Sequence, residues 1–260
     1  MAAGKGQLRG RGSMGDGVTL FCLLLDGRSA VDDPHDLLDA AQCVIFDFDG
    51  PVCDLFAKYT AADVVDDLRA WLERDLDVRV PPGKYAADPL GYLGLVEQSP
   101  HGRRWVRELE KRLTQQEERA AESAEPTEGA ADLIRELGAV ETRLGIATNN
   151  SAEAVGAYLR RMDLTDSFGA HVHGRGADIA KLKPDPDCLR RALGSTGSAP
   201  GESVMIGDSE KDRAAAARLR VPFIAFVPAG KSRESGEQDS EGRWYERVPV
   251  VESLHELLSR

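Results

Sequence analysis

The stretch Val44-Ile-Phe-Asp-Phe-Asp-Gly-Pro-Val52 decides how the rest of the sequence is read. With Cys43 it opens on the apolar run Cys43-Val-Ile-Phe46, the composition of a strand buried on both faces of a parallel sheet. It closes on two acids, Asp47 and Asp49. Strand side chains alternate, so residues two apart leave the chain on the same side. Two carboxylates buried together are costly unless a metal ion or a raised pKa on one of them compensates. The segment alone fits equally a strand that ends at Phe46 and two solvated acids in the turn before Gly50-Pro51.

Working outward, similar apolar runs recur at Thr142-Arg-Leu-Gly-Ile-Ala147, Ala170-His-Val-His173, Ser203-Val-Met-Ile206 and Val221-Pro-Phe-Ile-Ala-Phe-Val227. Helical segments separate most of them. A short helix is expected over Asp36–Gln42, and Asn150 opens one over Ser151–Met162. Asp185-Pro186 supplies a capping acid and a first-turn proline for a helix to about Leu193, and Ser209 opens Glu210–Leu219. This alternation predicts an α/β fold with a mostly parallel sheet, its sites at the carboxyl edge of the strands.

Residues 55–125 break the alternation. Ala61–Leu76 carries Val64, Val65, Leu68, Trp71 and Leu72 on one helical face, and Gly102–Ser123 carries Trp105, Val106, Leu109 and Leu113 at spacings of three and four. The expected organisation is therefore an α/β core built from residues 36–54 and 126–260, with a helical cap inserted between them. Residues 1–35 read as a flexible or atypical leader: Lys5, Arg9 and Arg11 precede the short apolar run Val18–Leu25, which falls short of a signal peptide or a membrane span. Gly230–Arg243 reads as a mobile polar loop before a last strand and a helix over Glu252–Leu258.

Composition narrows the partners. Against 33 Lys and Arg stand 44 Asp and Glu, a formal charge of −11 that disfavours nucleic acid and anionic membranes. Carboxylates can instead hold a hard cation, which would attract an anionic substrate locally. Cys22, Cys43, Cys53 and Cys188 form no C-x-x-C pair, which fits a reduced, cytoplasmic protein. The sequence leaves the oligomeric state open.

Three further elements sit where strands end or helices begin. In Leu144-Gly-Ile-Ala-Thr-Asn-Asn150 the hydroxyl of Thr148 and the amide of Asn149 are placed to meet a phosphoryl oxygen, or else merely to cap the next helix. In Lys183-Pro-Asp-Pro186 the ammonium is placed to offset charge between a carboxylate and a phosphoryl group; an exposed loop lysine is the plain alternative. In Val204-Met-Ile-Gly-Asp-Ser-Glu-Lys-Asp212, Asp208 is a candidate ligand for Mg²⁺, while Asp212 stands three residues after Ser209 and fits either a capping box or a place in the site.

The order acid pair, hydroxyl, lysine, acid resembles the haloacid dehalogenase superfamily, carried by Asp47-x-Asp49, Thr148, Lys183 and Gly207-Asp208-x-x-x-Asp212 over about Gln42–Val227. The inserted helices resemble the cap of its phosphoglycolate phosphatase and β-phosphoglucomutase branch. The resemblance implies a doubly wound, Rossmann-like sheet and a Mg²⁺-dependent phosphatase acting on a small phosphorylated metabolite. It implies Asp47 as nucleophile and Asp49 as acid and base, with Thr148, Asn149 and Lys183 on the phosphoryl oxygens. Asp47, Asp49, Asp208 and Asp212 would form the metal site, Asp49 through its backbone carbonyl. Pro51 departs from the family, which usually carries threonine there. A sugar phosphomutase and a non-catalytic phosphate-binding regulator are the alternatives. Lys84, Tyr85, His101, Arg103 and Arg104 are candidates to reach the substrate, His171 and His173 read as structural, and Cys53 is a candidate for oxidation.

Overall fold

A strand buried on both faces needs a neighbour on each edge and a layer over each face. The computed structural model describes residues 33–77, 85, 87–98, 102–176, 178–229, 244–245 and 247–258, and it supplies both for Cys43–Phe46. In chain order the elements are Pro34–Ala40 (α1), Cys43–Phe46 (β1), Cys53–Asp54 (β2), Ala61–Leu76 (α2), Pro89–Glu97 (α3), Gly102–Ser123 (α4), Glu125–Pro126 (β3) and Ala130–Ala139 (α5). Then come Arg143–Ala147 (β4), Ala152–Arg161 (α6), Thr165–Phe168 (α7), Val172–His173 (β5), Asp187–Thr196 (α8), Ser203–Gly207 (β6), Glu210–Leu219 (α9), Phe223–Phe226 (β7) and Val250–Val251 (β8). The main sheet has the order β5-β4-β1-β6-β7-β8, parallel at every pairing. The chain fills one side of β1 with β4 and β5, then the other with β6, β7 and β8. That reversal leaves a crevice at the carboxyl end of β1.

Period-two alternation sorts the strand residues into two cores. Val44 and Phe46 join Leu144, Ile146, Val204 and Ile206 beneath Leu133 and Ile134 of α5 and Val155 and Tyr158 of α6. Cys43 and Ile45 join Met205, Phe223 and Ala225 beneath Cys188 and Leu189 of α8 and Ala216 of α9. This is the doubly wound α/β sheet anticipated above. Among the described residues no helix is long and apolar enough to cross a membrane.

The inserted helices enclose an apolar cluster of their own. Val64, Val65, Leu68, Trp71 and Leu72 of α2 meet Tyr92, Leu93 and Val96 of α3 and Val106, Leu109 and Leu113 of α4. Further along α4, Ala120 and Ala121 belong to the core cluster instead. The two ends of the insertion are drawn together by β2 and β3, which pair antiparallel with Cys53 opposite Pro126.

Several boundaries differ from expectation, each for a local reason. α1 starts at Pro34 rather than Asp36, because Asp33 caps it by accepting from the His35 amide at 2.9 Å. Ser151, not Asn150, caps α6. Pro186 is the cap residue of α8 rather than its first helical residue: Asp185 accepts from the Asp187 amide, and the helix runs on to Thr196, where Gly197 ends it at φ 65°. The C-terminal helix is a single 3₁₀ turn, Leu254–Leu257. α3 escaped the periodicity argument because Pro-Leu-Gly-Tyr-Leu-Gly-Leu-Val-Glu is apolar almost all round, so no stripe stands out. The leader through residue 32, and residues 230–243, lie outside the described residues.

Phe46 is fully buried and packs edge-on against Phe168 with ring centroids 6.2 Å apart. Phe46→Ala is expected to destabilise the fold by about 3–5 kcal/mol, read from urea unfolding. A loss under about 1 kcal/mol, the size of an ordinary substitution, would contradict this placement of the core.

Candidate active site

Phe46 lies opposite both Ile146 and Ile206. The residues that follow therefore leave the sheet side by side, Asp47 level with Ala147 and Gly207, then Thr148 level with Asp208. Asp47 extends the ladder by donating its amide to the Ile206 carbonyl at 2.9 Å. Asp47 is only 8% exposed, and its carboxylate accepts from the Phe48 amide at 2.7 Å.

Lys183 is buried beside it. Its Nζ stands 2.8 Å from Asp47 Oδ1, donates to the Ala147 carbonyl at 3.1 Å, and pairs with Asp212. An ammonium has three protons, and these three acceptors take them. The lysine backbone is clamped as well: its amide donates to Asn149 Oδ1 at 2.8 Å and its carbonyl accepts from Asn149 Nδ2 at 3.3 Å. The Asn149 side chain thus clamps the Lys183 backbone.

Asp212 closes the capping box and also pairs with Lys183. One oxygen takes Lys183; the other accepts from the Ser209 amide at 3.1 Å and from the Ser209 hydroxyl, closing a capping box at the start of α9. Gly207 makes this possible, since a Cβ there would stand 2.6 Å from that of Asp212. Gly50 serves Asp208 in the same way: φ is 104°, and a Cβ would fall 2.2 Å from Asp208 Oδ2. Pro51 is buried in the turn that follows, where the Val52 amide donates to the Phe48 carbonyl at 3.1 Å and Thr127 donates its hydroxyl to the Gly50 carbonyl. Asp49 accepts from the Leu55 amide at 2.9 Å.

The electrostatics follow from crowding. Burial, then repulsion by Asp212, push the Asp47 carboxyl up to about 7 against the pull of Lys183 and the Phe48 amide. Burial alone would lower Lys183, but Asp212 and Asp47 outweigh it and hold the ammonium charged well above its ordinary range. Asp208 is raised well above the carboxylate range by desolvation and by repulsion from Asp47, Asp212 and Asp49. Solvent reaches the Asp208 side chain, so the repulsion is the firmer of the two causes.

Asp47, Asp208 and Asp212 each offer an oxygen, and these oxygens lie within 4.8 Å of one another. An all-oxygen donor set of crowded carboxylates suits a hard divalent cation such as Mg²⁺, whose charge would relieve the repulsion. Both Asp212 oxygens already serve Lys183 and Ser209, so Asp47 and Asp208 are the side chains best able to reach an ion.

Thr148 is buried; its hydroxyl donates to Asn150 Oδ1 at 3.0 Å and accepts from the Asn150 amide at 3.2 Å. Asp47, Asp49, Thr148, Asn149, Lys183 and Asp208 all line one cavity of about 370 Å³. Its far wall is Phe56, Ala61, Ala87, Asp88, Pro89, Leu90 and Glu117, with Lys211 at the side. A wider cleft of about 680 Å³ runs outward from Asp49 and Asp208 to Glu252 and Glu256 but is lined by neither Lys183 nor Thr148.

The sequence missed the far wall, because no motif marks Asp88, Leu90 or Glu117. Of its own candidates there, Tyr85 packs on Tyr92 at 5.9 Å between centroids rather than lining the cavity. Lys84 and His101 lie outside the described residues, as do the side chains of Arg103 and Arg104. His171 and His173 both bond the Ser195 hydroxyl, at 3.1 and 2.7 Å, as a structural role requires. The oxidation expected at Cys53 is corrected: the thiol is fully buried, and burial followed by repulsion from Asp49 raises its pKa, which suppresses the reactive thiolate.

Fold and site together define a doubly wound α/β protein whose acidic strand edge is roofed by inserted helices. The chain belongs to the haloacid dehalogenase-like hydrolase family, whose sequence model matches residues 87–226, more than half of it. The match begins beyond Asp47 and Asp49, which rest on their own motif and geometry. Among curated relatives, the phosphoglycolate phosphatase of Rhodospirillum rubrum is 37% identical over 41% of this chain and 43% of its own length. That of Caulobacter vibrioides is 28% identical over 78% of this chain and 85% of its own. The crystal structure of CbbY from Rhodobacter sphaeroides in complex with phosphate aligns with a TM-score of 0.63 at 20% identity, covering 84% of this chain and 96% of that one, a likeness of fold.

A proton on Asp47 competes with a cation for the same carboxylate. Mg²⁺ affinity is therefore expected to weaken as pH falls below about 7, approaching tenfold per pH unit. Calorimetric titration at about pH 6 and about pH 8 checks this, and equal affinities would count against it.

Proposed function

We propose that this protein is a Mg²⁺-dependent phosphatase that hydrolyses a small-molecule phosphate monoester, with Asp47 as nucleophile. The observation that carries the reading is the convergence of Asp47, Lys183, Asp208 and Thr148 on one cavity at the strand edge. Family membership and the relatives named phosphoglycolate phosphatase support it, and they favour a small phosphorylated metabolite as the substrate class.

In this reading the Asp47 carboxylate attacks phosphorus, an O–P bond forms, and the bond to the substrate's alkoxide breaks. Asp49, at the same mouth, protonates that alkoxide. It then takes a proton from the water that cleaves the aspartyl phosphate, releasing phosphate and restoring Asp47. The Asn149 amide receives a non-bridging oxygen, Thr148 receives another by turning its one hydroxyl proton away from Asn150 Oδ1, and Lys183 balances the charge that shifts onto them. Asp212 holds the lysine in place. Mg²⁺, held by Asp47 and Asp208, would lower the repulsion between an anionic nucleophile and an anionic phosphate.

Asp47→Asn keeps the shape of the side chain and removes the nucleophile. It is expected to abolish phosphate release from a panel of monoesters, including 2-phosphoglycolate and sugar phosphates, while the far-ultraviolet spectrum and cooperative melt persist. Release at the wild-type rate would sink the assignment, and isomer formation in place of release would redirect it to a phosphomutase.

A further inference from the structure

Resting on the reading of Thr148 and Asn149 as the phosphate-receiving loop, the geometry points to a second layer of the site that no motif marks. Glu117 and Arg175 form a buried ion pair, their side chains 2% and 0% exposed, with Arg175 Nη1 at 2.8 and 3.1 Å from the two Glu117 oxygens. Glu117 belongs to α4, between Leu113 of the inserted cluster and Ala120 of the core. Arg175 belongs to the core, two residues past the end of β5.

Most of what this pair bonds is the loop. Glu117 accepts from the Ser151 amide at 2.9 Å and from Asn150 Nδ2 at 3.3 Å. Arg175 donates to the Asn149 carbonyl at 3.1 Å through Nη1, and its amide donates to the Asn150 carbonyl at 2.8 Å. Asn150 in turn carries the two bonds that orient the Thr148 hydroxyl. A continuous path thus runs from the inserted helix through Glu117 and Asn150 to Thr148. Back-bonds from Arg175 Nη2 to Thr114, at 3.2 Å, and to Glu110 tie the guanidinium to α4 as well.

Helix packing alone does not explain the pair. An ion pair taken out of water is a weak source of stability, and apolar residues of the same volume often serve as well. Here it is retained even though Arg175 Nε is buried without a partner among the described residues. What the charges provide is direction: the Glu117 carboxylate meets the Ser151 amide and the Asn150 side-chain amide, while Arg175 Nη1, shared with both Glu117 oxygens, reaches the Asn149 carbonyl. We propose that Glu117 and Arg175 are positioning residues that lock the Thr148–Ser151 loop to α4, so that the loop keeps the geometry that receives the phosphoryl group.

The test compares E117L/R175M, which removes both charges together, with R175K, which keeps the charge balance but loses the two separate nitrogens that reach Glu117 and Asn149 on one side and Thr114 on the other. Each is assayed with Mg²⁺ on the monoester that wild type hydrolyses fastest, with inorganic phosphate as inhibitor and a thermal melt alongside. The folded double variant is expected to lose about 10- to 100-fold in kcat/KM, with phosphate inhibition weakened in parallel and R175K intermediate. Wild-type kcat/KM and phosphate affinity in the folded double variant, whatever its melting temperature, would overturn the proposal. If the double variant does not fold, R175K decides alone: unchanged phosphate affinity overturns the proposal and weakened affinity supports it. If wild type releases phosphate from no monoester, the proposed activity fails, and calorimetric binding of inorganic phosphate with Mg²⁺ settles the clamp separately. Binding by wild type that weakens in R175K supports it; binding equal in both, or absent from wild type, overturns it.

Discussion

The structure is organised by one lysine held between two buried carboxylates. Lys183 faces Asp47 at 2.8 Å and Asp212 beyond it, and its third proton goes to the Ala147 carbonyl. Unpaired charges at this depth would be strongly destabilising, so each member of the row needs the next. Asp212 is further tied to Ser209 at the head of α9, and the lysine backbone to Asn149 at the end of β4. Three neighbouring strand ends, those of β1, β4 and β6, are thereby joined by polar contacts where their backbone ladders stop.

That constraint leaves an imbalance on its outer side. One ammonium serves Asp47 and Asp212, while Asp208 adds its charge at the rim, which is why both Asp47 and Asp208 sit above the ordinary carboxylate range. Three acids around one lysine suit a cation, and in the proposed reading a cation beside Asp47 would draw in an anionic substrate. The parallel register puts the acids together, and the burial of Asp47 and Asp212 makes their crowding costly.

Much of this was legible in the sequence, for identifiable reasons. Buried parallel strands are continuous apolar runs, so Cys43–Phe46 and Ser203–Ile206 stood out, and the acids that close them marked the edge. Asp47, Thr148 and Asp208 were legible because each follows such a run, and Lys183 because it precedes the proline-marked start of α8. Asp212 remained ambiguous, since its spacing from Ser209 describes a cap and says nothing of Lys183, which is 29 residues away. Glu117 and Arg175 were hidden altogether. Glu117 lies among other charged residues on a long amphipathic helix, and only the fold turns it inward. α3 was hidden for the opposite reason, being too evenly apolar to show a face. Long-range pairing of isolated charges leaves no local period to read.

The most direct measurement is to locate phosphate on the protein during turnover. Wild-type protein mixed with Mg²⁺ and a hydrolysed monoester, quenched in acid within the first turnovers and digested, is predicted to carry one phosphoryl group on the peptide containing Asp47. Phosphate found on a different residue, or sustained hydrolysis with no phosphorylated peptide at any quench time, would contradict the account.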